Sequence, residues 1–309
     1  MKFSIQPFID VVEREKLNIE GIIVWQDGQF LAHHQFVEEV RREQFSVTKS
    51  FVSAAVGFAL QEGLVSLDDR VVDCFPDKLP EHISDNLAEC RLRHLLSMTP
   101  GQKRDELSHK LKYEPGFKVD DYIKAALALP FDVKPGTYFW YNNPALHMAG
   151  RIVQQKAGCD LVDFLMPRLF TPLGMARPNW VRDSEGYCHG AMGIQIRLSE
   201  LFRFIEMYYN YGKVNGKQIL DRDWIELSTS RIVDNSHFED LADNHCGYGY
   251  AFWRGQHNSF RADGYHAKFG VVLRDINAIV CINSDERRQQ GVLDAMWESV
   301  YPQLAENAK

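Results

Sequence analysis

The chain has 309 residues, 45% hydrophobic and 25% charged, with a formal net charge of -7. That balance is typical of a globular protein with a large core in one or two domains. The acidic excess, with no Lys/Arg run longer than Arg41-Arg42 or Arg287-Arg288, argues against nucleic acid or an anionic membrane as a main partner.

The elements follow in chain order from periodicity and turn chemistry. A helical stretch is predicted around Phe8 to Lys16. Gly21 to Trp25 and Gln29 to His33 flank Gln26-Asp27-Gly28, and Asp-Gly between β-rich runs reads as a hairpin turn. From Ser46 the chain is apolar nearly all round, with Ser50, Ser53, Ala54, Ala55, Gly57 and Ala59 among Phe51, Val52, Val56, Phe58 and Leu60. This predicts a buried central helix, closed by Gly63 as its C-terminal cap.

Helical patterns follow at Asp120 to Leu129, Pro144 to Ala157, Leu161 to Phe170 and Ser199 to Tyr211, broken at Pro135-Gly136 and Pro172-Leu173-Gly174. Strands return at Tyr248 to Arg254, Ser259 to Ala262, Lys268 to Leu273 and Ala278 to Asn283, and a last helix runs from Gly291 to Leu304. Strands at both ends that share one sheet predict an α/β region from 1–66 and 247–309. A mainly helical lobe is expected over 67–246, with the active-site cleft between the two.

No stretch approaches a membrane span, and Met1 to Pro7 lacks the apolar core of a signal peptide. The six cysteines, Cys74, Cys90, Cys159, Cys188, Cys246 and Cys281, form no C-x-x-C pair. Reduced thiols in a cytoplasm are therefore expected, rather than a disulfide scaffold or a metal site.

Ser46-Val47-Thr48-Lys49 carries the chemistry. Residues three apart share a helix face, so the Lys49 amine can lie against the Ser46 hydroxyl and act as the base a serine nucleophile needs. The positive end of the helix favours the negative charge that develops on attack at a carbonyl. A two-position pattern recurs by chance roughly once in a chain of this length, so the bland reading is Ser46 as an N-cap and Lys49 as a solvated side chain.

A Ser-Lys pair needs a further proton-handling group, and a Tyr phenol near both suits. Of the two Y-x-N triplets, Tyr208-Tyr209-Asn210 ends an amphipathic helix and reads as core. Tyr141-Asn142-Asn143 lies in a loop after Tyr138-Phe139-Trp140, where scaffolded catalytic groups concentrate, and selects Tyr141 and Asn143.

At this point the chain resembles the serine β-lactamase and penicillin-recognising superfamily, in its class C β-lactamase-like branch of esterases, D-amino peptidases and amide hydrolases. The resemblance rests on Phe45 to Ser50, Glu62 to Asp69, His94 to Gly101, Pro135-Gly136 leading to Tyr141-Asn142-Asn143, and Pro172 to Met175. It implies a β-lactamase/transpeptidase-like α/β (α+β) fold, an antiparallel sheet formed by both chain ends with flanking helices and a mainly helical insertion lobe. It further implies Ser46 as the acylated nucleophile, Lys49 and Tyr141 exchanging its proton, and Asn143 orienting the acyl side of the substrate.

The departure is at the third motif, where the superfamily usually has Lys-Thr-Gly or His-x-Gly and this chain has Ala262-Asp263-Gly264-Tyr265. Gly264 keeps close backbone approach, and the amide of Tyr265 can join that of Ser46 in an oxyanion hole. The cation that would meet a substrate carboxylate is missing there, and His266 or Lys268 beyond is a candidate replacement.

The leading expectation is a serine hydrolase that cleaves a small ester or amide through an acyl-enzyme, without metal or organic cofactor. Within that class the third motif favours an esterase over a β-lactamase or peptidase. The rival from another class is a catalytically silent binding or sensing protein with the same fold. Oligomeric state is not legible.

Overall fold

The computed structural model describes residues 3–238 and 241–308. Its strands are β1 (Ile19–Gln26), β2 (Gln29–Gln35), β3 (Arg42–Glu43), β4 (Asn179–Trp180), β5 (Ile194–Ile196), β6 (Lys213–Val214), β7 (Lys217–Gln218), β8 (Trp253–Arg254), β9 (Phe260–Gly264), β10 (Lys268–Leu273) and β11 (Ala278–Ser284). The helices are α1 (Gln6–Glu15), α2 (Thr48–Gln61), α3 (Val71–Cys74), α4 (Asp85–Glu89), α5 (Leu92–Leu96), α6 (Glu106–Tyr113), α7 (Tyr122–Leu127), α8 (Asn143–Ala157), α9 (Leu161–Leu165), α10 (Leu198–Tyr209), α11 (Arg222–Ser228), α12 (Gln289–Ser299) and α13 (Tyr301–Asn307).

Six strands form one antiparallel sheet in the order β2-β1-β11-β10-β9-β8, so both ends of the chain do meet in one sheet. Both faces are covered, which is why β1, β10 and β11 read as nearly unbroken apolar runs. Ile22, Val24, Val271 and Val280 pack under α1, α12 and α13 with Phe8, Val12, Leu293 and Met296. Ile23, Trp25, Ile279 and Cys281 face the larger core that contains α2, α8 and α10. Gly270 admits α10 closely, since a Cβ there would fall 2.4 Å from Ile205 Cγ1.

Helix α2 is the buried central helix, with every residue from Thr48 to Ala59 in the interior. Gly57 leaves room for a neighbouring side chain, since a Cβ there would meet the Trp224 ring at 2.3 Å. Gly63 closes it at φ 69°, with the amides of Gly63 and Leu64 bonded back to Leu60 and Ala59.

Several predicted elements break where proline or a tight turn intervenes. The last helix divides at Val300 into α12 and α13, because Pro302 in the first turn of α13 cannot continue the amide ladder. The helix expected to Phe170 becomes a π-helical turn at Met166–Phe170, again around a proline, Pro167. The strand expected over Tyr248 to Arg254 joins the large sheet only at Trp253–Arg254, with Tyr248 left in isolated bridges to Val233 and Trp253, since the chain turns at Ala251, φ 63°.

Candidate active site

Ser46 lies not in α2 but in a single 3-10 turn, Phe45–Val47, that leads into it. Phe45 is held at φ 45°, a left-handed conformation costly for an aromatic residue, directly before the serine. Strand β9 approaches this turn closely. A Cβ on Gly264 would lie 2.3 Å from the Gln44 carbonyl oxygen and 3.2 Å from Val47 Cγ2, so only glycine lets the strand press on this turn. Ser46 makes no capping bond to the helix. Its Oγ instead takes a hydrogen bond from Lys49 Nζ at 2.7 Å, which removes the N-cap reading.

Lys49 is 1% exposed, and its amine also donates to the Ala191 carbonyl at 2.8 Å. Burial pulls the ammonium pKa down from 10.5 to about 7, while the charges of Asp105 and Asp263 push the other way. The segment that presents Ala191 is clamped on α8: the Gly190 amide donates to His147 Nδ1 at 3.1 Å, and that of Cys188 to Gln154 Oε1 at 2.9 Å. The Ala191 amide donates to His189 Nδ1 at 3.2 Å, and burial lowers the pKa of His189 to about 3, so this ring stays a neutral acceptor.

The loop bearing Tyr141 is braced by the His94-to-Gly101 stretch: the amides of Gly136 and Trp140 donate to the carbonyls of Thr99 and Met98. Asn142 caps α8 by accepting from the Ala145 amide at 2.8 Å. The Tyr141 ring therefore sits 4.9 Å from Lys49 Nζ and stacks on Trp253 at 5.5 Å. Asn143 starts α8, and its side-chain amide donates to Asp105 Oδ2 at 3.1 Å and Ser108 Oγ at 3.2 Å.

On the β9–β10 side the two candidate replacement cations are committed elsewhere. Lys268 pairs across the ladder with Gly264, which puts its side chain on the opposite face from Asp263. There it bonds Glu20 at 2.7 Å. His266 bonds Asp285 through Nδ1 and packs against the rings of Phe45 and Tyr265. The guanidinium beside the third motif is Arg261, 1% exposed, whose Nε donates to Asp263 Oδ2 at 2.8 Å.

A cavity of about 240 Å³ opens at this point, lined by Ser46, Tyr141, Leu241, Asn244, Trp253, Asp263, Tyr265 and Gln289. Of the residues singled out from sequence, Ser46, Tyr141 and Tyr265 face it together, Lys49 lies behind Ser46, and Gly264 backs the serine turn. Asn143 and His266 are not in its lining. Asp105, Ala191, Asn244, Arg261 and Gln289 carried no local signature. Arg261 alone was discoverable, because alternation along a strand puts it on the face of Asp263. Among the described residues no group of three or more His, Cys, Asp or Glu side chains is placed to hold a metal ion, and no helix is long and apolar enough to cross a membrane.

The fold matches solved structures closely at low identity. A putative β-lactamase from Bacteroides dorei DSM 17855 superposes with a TM-score of 0.75 at 18% identity, over 97% of this chain and 99% of that one. EstCE1, described as a hydrolase with promiscuous acyltransferase activity, gives 0.74 at 18% identity over 94% and 98%. Among curated proteins, lovastatin esterase from Penicillium rubens is 24% identical over 174 residues, 50% of this chain and 42% of that protein. The match to that relative thus spans less than half of its length. The Beta-lactamase family profile matches residues 14–298, and the chain accordingly belongs to the Beta-lactamase family, with the fold of its serine hydrolases.

Proposed function

We propose that this protein is a serine hydrolase that cleaves small, uncharged esters through an acyl-enzyme on Ser46. The observation that carries the reading is the 2.7 Å contact between Ser46 Oγ and a buried Lys49 amine whose pKa is held near 7. At neutral pH much of that amine is unprotonated and can accept the Ser46 proton as the oxygen attacks the carbonyl carbon. The amides of Ser46 and Tyr265 receive the developing oxyanion, a role supported by the way Gly264 presses on the serine turn. The proton passes from Lys49 through the Tyr141 hydroxyl to the leaving alcohol oxygen as the C–O bond breaks. Water then attacks the acyl-enzyme, gives its proton to the same pair, and Ser46 recovers it on release of the acid.

The size of the cavity, about 240 Å³, suits a short acyl chain, and its aromatic walls at Trp253 and Tyr141 suit an apolar one. The esterase names borne by lovastatin esterase and, as a hydrolase, by EstCE1 are consistent with this substrate class. The test is intact-mass measurement after a fluorophosphonate, together with turnover of 4-nitrophenyl butyrate, in wild type and Ser46→Ala. The expected result is a single adduct and hydrolysis in wild type, both lost in the variant. Hydrolysis at an unchanged rate in Ser46→Ala would sink the assignment, and adduct formation without turnover of any ester would favour the silent binding protein.

A further inference from the structure

Arg261 and Asp263 project from the same face of β9, two residues apart. The guanidinium is walled in on every donor edge: Nε to Asp263 Oδ2 at 2.8 Å, Nη1 to the Asp243 carbonyl at 3.2 Å and Nη2 to Asn244 Oδ1. It lies 5.9 Å from the centroid of Trp253, the ring that stacks on Tyr141. Three of these four neighbours, Asp263, Asn244 and Trp253, are cavity wall on their other side.

A guanidinium this deeply buried requires an anionic partner, and Asp263 supplies it from the cavity wall. A carboxylate on a substrate could reach Arg261 only by displacing Asp263, or by sharing the cation against like-charge repulsion. Lys268 and His266, engaged with Glu20 and Asp285, offer no second cation on this wall.

We propose that Arg261 and Asp263 form an anion subsite occupied by the protein's own carboxylate, which restricts the serine site to uncharged acyl donors and becomes a carboxylate-binding subsite when Asp263 is removed. The proposal rests on the serine-hydrolase reading for its catalytic consequence, but the subsite itself is testable without turnover. In Asp263→Ala the guanidinium loses its counter-ion and faces the cavity, so a small carboxylate fills the vacated position. Asp263→Asn keeps the shape and one acceptor for Arg261 Nε while removing the charge.

Thermal melts are compared in sodium acetate and sodium chloride at equal ionic strength, for wild type, both single variants and Arg261→Met/Asp263→Ala. Acetate should raise the melting temperature of Asp263→Ala above its value in chloride, and leave wild type and the double variant alike in the two salts. In parallel, the ratio of kcat/KM for the 4-nitrophenyl hemiester of glutaric acid to that for 4-nitrophenyl butyrate should rise at least tenfold in Asp263→Ala, and less in Asp263→Asn. The gain should vanish in the double variant. A ratio is used because Asp263 also acts on Lys49, and that effect cancels between two esters.

Equal melting of Asp263→Ala in both salts, or a gain in anionic turnover that persists without Arg261, would overturn the proposal. If Asp263→Ala folds only in acetate, that supports it; if neither single variant folds in either salt, a replaceable occupant is refuted. If no ester is turned over by any variant, wild type included, the hydrolase reading fails, and the acetate-dependent melt still decides whether the subsite exists.

Discussion

Replacing Lys49 by methionine should remove activity and yet stabilise the fold at neutral pH, with a sign that reverses in alkali. In the unfolded chain the amine titrates near 10.5, whereas in the folded protein burial brings it to about 7. Between these values the unfolded state holds a proton that the folded state has shed, so wild-type stability rises with pH across the window. Relative to a side chain that never ionises, the amine costs about 4 kcal/mol at pH 7, about 2 kcal/mol at pH 9 and under about 0.5 kcal/mol at pH 10.5. Against this, methionine forfeits the contact to Ser46 and leaves the buried Ala191 carbonyl without its donor, a loss of about 2 kcal/mol. The balance favours Lys49→Met by about 2 kcal/mol at pH 7, vanishes near pH 9 and reverses above it. Thermal melts of wild type and Lys49→Met at pH 7, 9 and 10 measure this directly, with ester turnover followed alongside. A variant that melts below wild type by the same margin at every pH would show that Lys49 is not held against its ionisation, and the argument for it as the base would fall with that result.

Three further outcomes follow from the same geometry. For wild type, kcat/KM for a neutral ester should fall about tenfold per pH unit below about 7, as the Lys49 amine takes up its proton; a flat profile from pH 5.5 to 8.5 would remove Lys49 from the role of base. Lys49→Ala and Tyr141→Phe should each lose most of the rate and the double variant little more, because groups acting as one unit are not additive; multiplicative losses in single-turnover assays would show two independent groups. Gly264→Ala places a methyl 2.3 Å from the Gln44 carbonyl, so it should destabilise the fold by about 1–3 kcal/mol and shift the serine turn enough to cut the rate; wild-type melting and wild-type turnover together would contradict that account.

The Ser46–Lys49 contact and the position of Tyr141 beside it were legible because their signals are local: a spacing of three and a loop after a Pro-Gly turn are properties of short segments. The conformation of the serine was not. Nothing in Phe45 or Ser46 predicts a 3-10 turn with Phe45 at φ 45°, and the strand that presses on that turn, at Gly264, lies more than two hundred residues later. The groups that hold Lys49 illustrate the same division. Ala191 contributes only a backbone carbonyl, and no side-chain pattern marks the carbonyl that a buried amine will meet. Asp105 reaches the site from the loop ahead of α6, where its carboxylate already takes Asn143's side-chain amide.

The third motif shows how strand alternation decides what a motif can do. Read linearly, Lys268 and His266 stand nearer to Gly264 than any other cation beyond it, and both were candidates for meeting a substrate carboxylate. Pairing of Lys268 with Gly264 across the β9–β10 ladder sends the lysine to the face of Glu20, while Arg261, three residues before Gly264, shares the face of Asp263. A charge that is close both in sequence and across the ladder is thus turned to the other face, and one placed before the motif is the one that bonds the cavity-wall carboxylate. The same two-residue period makes Asp263 both the counter-ion of Arg261 and part of the surface facing Ser46. One carboxylate therefore couples the electrostatics of the buried guanidinium to that of the Lys49 amine, whose pKa it raises. A change at Asp263 is therefore expected to alter both the cavity wall beside Arg261 and, alongside burial and the charge of Asp105, the protonation of the Lys49 amine.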